Sequence, residues 1–147
     1  MKQRYVLLAV LLLAGVGAPA ARADGPDPIE TRQAGQDLII SVYTLIRGVV
    51  ATKGDVKTVE RPAKAMARWM RQFPTQFPPG TEQGHNTRAL PAVWSDREGF
   101  LKTANELVEA TTKLSELAKA DNTDGVATQV KVVGDVCEAC HRTYRAR

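Results

Sequence analysis

The chain has 147 residues, enough for one ordinary domain with a single core. Its 20 Lys and Arg against 16 Asp and Glu suggest a basic protein, but Lys2, Arg4 and Arg22 lie in an N-terminal stretch that reads as removable. Without residues 1–23 the balance is 17 against 16, which excludes the electrostatic footprint expected of a nucleic-acid or anionic-membrane binder.

That N-terminal stretch has Lys2 and Arg4, then an apolar run from Val6 to Val16, then small residues ending Ala21-Arg22-Ala23 before Asp24. The pattern predicts a secretory signal peptide over 1–23, with an apolar run too short to remain as a bilayer-spanning anchor. The processed chain, 24–147, is then expected in the periplasm with no membrane anchor.

Four stretches carry helical periodicity and none carries strand alternation. The first opens on Asp27-Pro28-Ile29-Glu30, an N-cap, a proline at the first helical position and a glutamate that can reach back to the cap. Leu38, Val42, Leu45 and Val49 then form its apolar stripe, and Lys53-Gly54-Asp55 end it. The second carries Val59, Ala63, Met66, Met70 and Phe73, holds Pro62 in its first turn or kinks there, and stops at Pro74. Prolines and glycines between 74 and 94 predict a long connection.

Ser95-Asp96-Arg97-Glu98 reads as a capping box opening the third helix, whose inner face is Phe100 or Leu101, Ala104, Leu107 or Val108, Thr111 and Leu114. Asn122 to Gly125 break it. The fourth places Val126, Val130, Val133, Cys137, Cys140 and Tyr144 on one stripe. The expected fold is all-α, an antiparallel four-helix bundle.

Chemistry concentrates at Cys137-Glu138-Ala139-Cys140-His141. Residues i, i+3 and i+4 share a helical face, so two thiols and an imidazole can meet one flat ligand. C-x-x-C-H is the attachment sequence of c-type haem, in which each thiol adds to a vinyl group and the imidazole takes an axial iron position. The alternatives fit less well. A disulfide strains at helical i, i+3 spacing, a thioredoxin-like pair needs a βαβ context, and a closed zinc site needs four ligands.

The chain resembles the cytochrome c′ family. The resemblance rests on this C-terminal motif together with Arg32-Gln33, Pro79-Gly80-Thr81-Glu82, Leu90-Pro91-Ala92-Val93-Trp94-Ser95-Asp96 and Tyr144-Arg145. It implies one covalent haem c per chain on the C-terminal helix, held by Cys137 and Cys140, with His141 as axial ligand. It also implies that Arg32 and Gln33 meet the haem edge, Arg32 pairing a propionate. Thr81 and Glu82 would fold over that edge, and Arg145 would line the proximal face. Trp94 reads as core packing. The departure is Gln36, a polar residue where the family usually has an apolar one, or a ligating Met, over the distal iron face. Met66 and Met70 read as core.

Three functions are compatible with this reading. Electron transfer with periplasmic redox proteins comes first, and binding of nitric oxide or carbon monoxide at an open iron position is the alternative. A peroxidase-like enzyme is the weakest, since no distal His or Arg arrangement is evident, and the chain reads as non-enzymatic. Ile39, Ile40 and Ile46 offer more apolar surface than one core face needs, which fits a homodimer through the first two helices.

Overall fold

The computed structural model describes residues 25–147; the expected signal peptide, 1–23, lies outside them. Five α-helices follow in order: α1 (Pro28–Ala51), α2 (Glu60–Gln72), the single turn α3 (Ala92–Ser95), α4 (Arg97–Lys119) and α5 (Thr123–Tyr144). Short 3-10 segments, Val56–Val59 and Phe73–Gln76, flank α2. The four long helices make an antiparallel bundle in which α4 packs along both α2 and α5, and α1 leans on α2 and α5.

The helix boundaries follow local chemistry. The Asp27 carboxylate accepts from the backbone N–H of Ile29 at 2.7 Å and of Glu30 at 3.1 Å, satisfying donors that the first turn leaves free. Glu30 does not complete a capping box; its carboxylate lies 3.3 Å from Nδ1 of His85. Pro62 sits in the first turn of α2, where its missing N–H costs nothing. The cap of α4 is Asp96, which accepts from Gly99 N at 3.2 Å, while Ser95 closes α3. The expected Ser95 box therefore shifts by one residue, because the peptide after Pro91 first makes a turn of its own. Asn122 caps α5 and Gly125 lies inside that helix, so the break between α4 and α5 is shorter than expected.

The inward face of α1 corrects the sequence reading. Leu38 and Leu45 are 68% and 57% exposed, whereas Ile39 and Ile46 belong to the core. Of the three isoleucines thought surplus, only Ile40 remains outside. Two stripes one residue apart both satisfy helical spacing, and the one that wins shares its face with Ile29, Arg32 and Gly35. A side chain on Gly35 would run into the Trp69 indole, so this glycine lets α1 and α2 approach closely.

The remaining core agrees with the expected stripes. Ala63, Met66, Met70 and Phe73 from the α2 region, Phe100, Ala104, Leu107, Val108, Thr111 and Leu114 from α4, and Val126, Val130 and Val133 from α5 are all buried; Leu101 is not. At one end the core becomes aromatic. Phe73, Phe77, Phe100 and Tyr144 stack at centroid distances of 5.0 to 6.2 Å, mostly edge to face, as the ring quadrupole favours.

Candidate functional site

Above this aromatic floor, α1, α2, α4, α5 and the residue 86–89 loop enclose a cavity of about 530 Å³. That lies within the roughly 300–1,000 Å³ of cofactor sites. Cys137, Cys140 and His141 all line it, so α5 delivers two thiols and an imidazole to one space, as their spacing predicts. Both cysteines are free thiols, half-buried. Burial pushes the Cys137 thiol up and carries that of Cys140 to about 11, so both are protonated at neutral pH. His141 is shifted the other way: burial first, then the Arg145 and Arg88 cations, lower its pKa and favour the neutral imidazole that can ligate a metal. Among the described residues no three His, Cys, Asp or Glu side chains assemble into a metal-binding group, so the zinc alternative gains nothing.

Arg32 is only 3% exposed and lines the cavity. Its guanidinium donates to Gln76 O at 3.0 Å, Thr81 Oγ1 at 2.9 Å, Thr81 O at 2.7 Å and Thr87 Oγ1 at 3.0 Å, and lies 4.4 Å from the Phe77 ring centroid. Four of its five N–H groups are therefore spent on the loop, and Nε–H is left for anything in the cavity. No carboxylate of the described chain pairs with it. A buried cation without an anion is costly, and a cavity occupant bearing carboxylates would supply the counter-charge.

The other expected edge residues divide. Gln33 lines the cavity and donates from Nε2 to His85 O at 2.9 Å. Thr81 stands behind Arg32 and Glu82 is exposed, accepting from Gly80 N within its own turn; neither lines the cavity. Arg32 draws Thr81 inward as a hydrogen-bond partner, and the turn keeps Glu82 outside. The stretch that does close over the cavity is Asn86 to Ala89. It is fastened to the C-terminal tail by Leu90 N to Tyr144 O at 3.0 Å and Ala146 N to Arg88 O at 2.8 Å. Arg145, beside this fastening, lines the cavity.

Gln36 lines the cavity on α1, its amide 3.9 Å from the Met70 sulfur. Met70, read from its stripe as pure core, thus also faces the cavity, while Met66 does not. Tyr43 bounds the cavity too, donating from its hydroxyl to Val130 O at 2.9 Å. A Cβ at Gly134 would stand 2.6 Å from that oxygen, so the glycine is what allows the α1–α5 contact. Trp94 is not in the cavity; it packs edge-on to Phe77 at 5.8 Å.

The donor set, the unpaired buried cation and the volume together fit a haem carrying vinyl and propionate groups. Comparison with known proteins points the same way. A family model described as Cytochrome C′ matches residues 27–145. Cytochrome c′ of Rubrivivax gelatinosus is 30% identical over 82% of this chain and 95% of its own, and its crystal structure superposes with a TM-score of 0.74. A cytochrome c′ structure described as having ligand-controlled dimer dissociation gives a TM-score of 0.77 at 30% identity, covering 84% of this chain and 99% of that one. The nitric oxide complex of a mutant cytochrome c prime from Alcaligenes xylosoxidans gives 0.74 at 28%, covering 82% and 94%.

Proposed function

The chain belongs to the cytochrome c′ family and is a c-type haem cytochrome, and from that premise we propose that it is an exported, mono-haem electron-transfer protein without catalytic turnover. Residues 1–23 direct it to the periplasm and are removed there; 24–147 form the cytochrome domain. The observation that carries the proposal is the convergence of Cys137, Cys140 and His141 on one cavity.

When bound, haem would supply a reversible one-electron couple. The chain's own residues hold and insulate it. Cys137 and Cys140, both free thiols on the cavity, would hold the group by thioether links to its two vinyl substituents, each S–H adding across a C=C with no external oxidant needed. The His141 imidazole, kept neutral by burial, would be the residue that ligates the iron. Arg32, through Nε–H and its charge, balances a propionate. Phe73, Phe77 and Phe100 exclude water and keep the local dielectric low, which favours small reorganisation on electron transfer.

A second reading, binding of nitric oxide or carbon monoxide, is favoured by Gln36 and by the nitric oxide complex of the Alcaligenes protein. The iron is five-coordinate on this reading, with the Gln36 amide as a donor to a distal ligand. Homodimerisation through α1 and α2 fits the outward Leu38 and Leu45. Mass spectrometry of the denatured periplasmic protein tests the core of the proposal. One haem added to a chain beginning near Asp24 is expected, and an unmodified disulfide form would overturn it. Absorption spectra of both oxidation states then separate high-spin iron responsive to carbon monoxide from a low-spin iron indifferent to it.

A further inference from the structure

Charge is interleaved along most of the chain. On α4, for example, Arg97, Glu98, Lys102, Glu106, Glu109, Lys113, Glu116 and Lys119 alternate in small groups. The seam between the loop and the C-terminal tail is different. From Cys140 to the end the chain has Arg142, Arg145 and Arg147 and no acid, and from Gln83 to Ser95 it has Arg88 and no acid. The backbone bonds between Ala146 and Arg88 and between Leu90 and Tyr144 bring these two stretches edge to edge. Arg88, Arg142 and Arg147 are exposed, and Arg88 and Arg145 also line the cavity, so the seam is a rim of the cavity next to His141. Acids do adjoin the seam: Glu138 lies 3.2 Å from Arg142, the Asp96 carboxylate accepts from Tyr144 at 2.7 Å, and Asp27 and Glu30 lie 3.5 and 3.3 Å from His85, but among the described residues none of them pairs with Arg88, Arg145 or Arg147. Asp37, the one acid that lines the cavity among the described residues, belongs to α1.

We propose that this arginine rim is the docking face for a redox protein whose own surface is rich in carboxylates. The inference rests on the electron-transfer reading above. A processed chain with almost balanced charge gains nothing in solubility from segregating four guanidiniums at one edge, whereas a charged rim at the cavity mouth raises encounter rates and orients the partner where electrons must cross. Four arginines spread from the loop to the chain terminus reach farther than one small anion can touch. Planar guanidiniums also pair two-pronged with carboxylates, giving register as well as attraction.

The test uses the haem-loaded protein and the double variant Arg88→Glu, Arg147→Glu, with Arg145 left in place beside His141. Stopped-flow oxidation is followed with hexacyanoferrate(III), an anion, and tris(phenanthroline)cobalt(III), a cation. Reduction is followed with the hydroquinone of an acidic flavodoxin. At low ionic strength the variant should lose about tenfold with hexacyanoferrate(III) and with flavodoxin and gain with the cobalt complex, within the range of electrostatic steering. The differences should vanish at about 1 M salt, where the Debye length is near 3 Å. A change of reduction potential alone would move both oxidants in the same direction, and that result overturns the proposal. So does an unchanged flavodoxin rate accompanied by loss of binding to phosphatidylglycerol vesicles, which would assign the rim to a membrane surface. If the unsubstituted protein exchanges electrons with none of the three reagents, it is the electron-transfer reading that fails. The milder pair Arg88→Gln, Arg147→Gln should show about half the logarithmic effect and guards against misfolding of the first.

Discussion

Replacing Arg32 by Met removes the guanidinium but keeps much of its apolar stem. In the native protein that group holds Gln76 O, Thr81 Oγ1, Thr81 O and Thr87 Oγ1, all within 2.7 to 3.0 Å. Charge-assisted hydrogen bonds are worth roughly 1.5–3 kcal/mol each, so four at the lower figure come to about 6 kcal/mol. Returning the cation to water on unfolding is no longer needed in the variant, and that recovers several kcal/mol of burial cost. A net destabilisation of about 3 kcal/mol follows, together with release of residues 81–87 from α1. Guanidinium chloride unfolding of the haem-loaded variant, followed by far-UV circular dichroism, measures the first. Hydrogen exchange across the loop measures the second. A loss below about 1 kcal/mol with full loop protection would refute the reasoning, since it is no more than a solvated surface charge contributes.

Gly134→Ala should cost about 1–3 kcal/mol by driving a methyl group against the Tyr43 hydroxyl; in a Tyr43→Phe background the next atom is 3.6 Å away and most of that penalty should disappear in a double-mutant cycle. Tyr144, buried and donating to Asp96 at 2.7 Å, has its pKa pushed up to about 12 from 10.0 by burial and then by that carboxylate. The neutral phenol is thus favoured in the fold, its contribution to stability is full below pH 10 and is lost as pH rises toward 12. Alkaline unfolding curves should show that decline, and Tyr144→Phe should flatten it. Charged replacement of the outward leucines, Leu38→Asp with Leu45→Asp, should yield a monomer by sedimentation without altering the haem spectrum; a persisting dimer would place the interface elsewhere.

The readable parts of the molecule were those in which one helix decides the outcome. The α5 stripe from Val126 to Tyr144 and the convergence of Cys137, Cys140 and His141 follow from a single periodicity. The same holds for the Val59 to Phe73 stripe. On α1 two adjacent stripes satisfy the same rule, and the choice between them belongs to Arg32, whose burial depends on carbonyls 44 and 49 residues away. No local pattern contains that information. The loop is hard to read for a related reason: which of Thr81, Glu82 or Asn86 to Ala89 borders the cavity depends on bonds to Arg32 and to the tail at Tyr144 and Ala146. Met70 lies on its expected stripe, yet a stripe beside a cavity has one edge in the core and the other in the site.

The fastening of the loop to the tail also bears on the order in which the molecule assembles. It joins positions more than fifty apart in the chain, so the entropy of closing so long a ring must be met before either bond forms. Helices α4 and α5, linked by a turn of three residues, have no such delay. The pair should therefore dock early, presenting both thiols on a formed helix while the loop is still open, and the seam should close last. Such a sequence leaves an interval in which a bulky planar group can enter sideways, and closure afterwards seals its edge. In the finished protein the same seam, as the last part made, is the first expected to exchange its amide hydrogens.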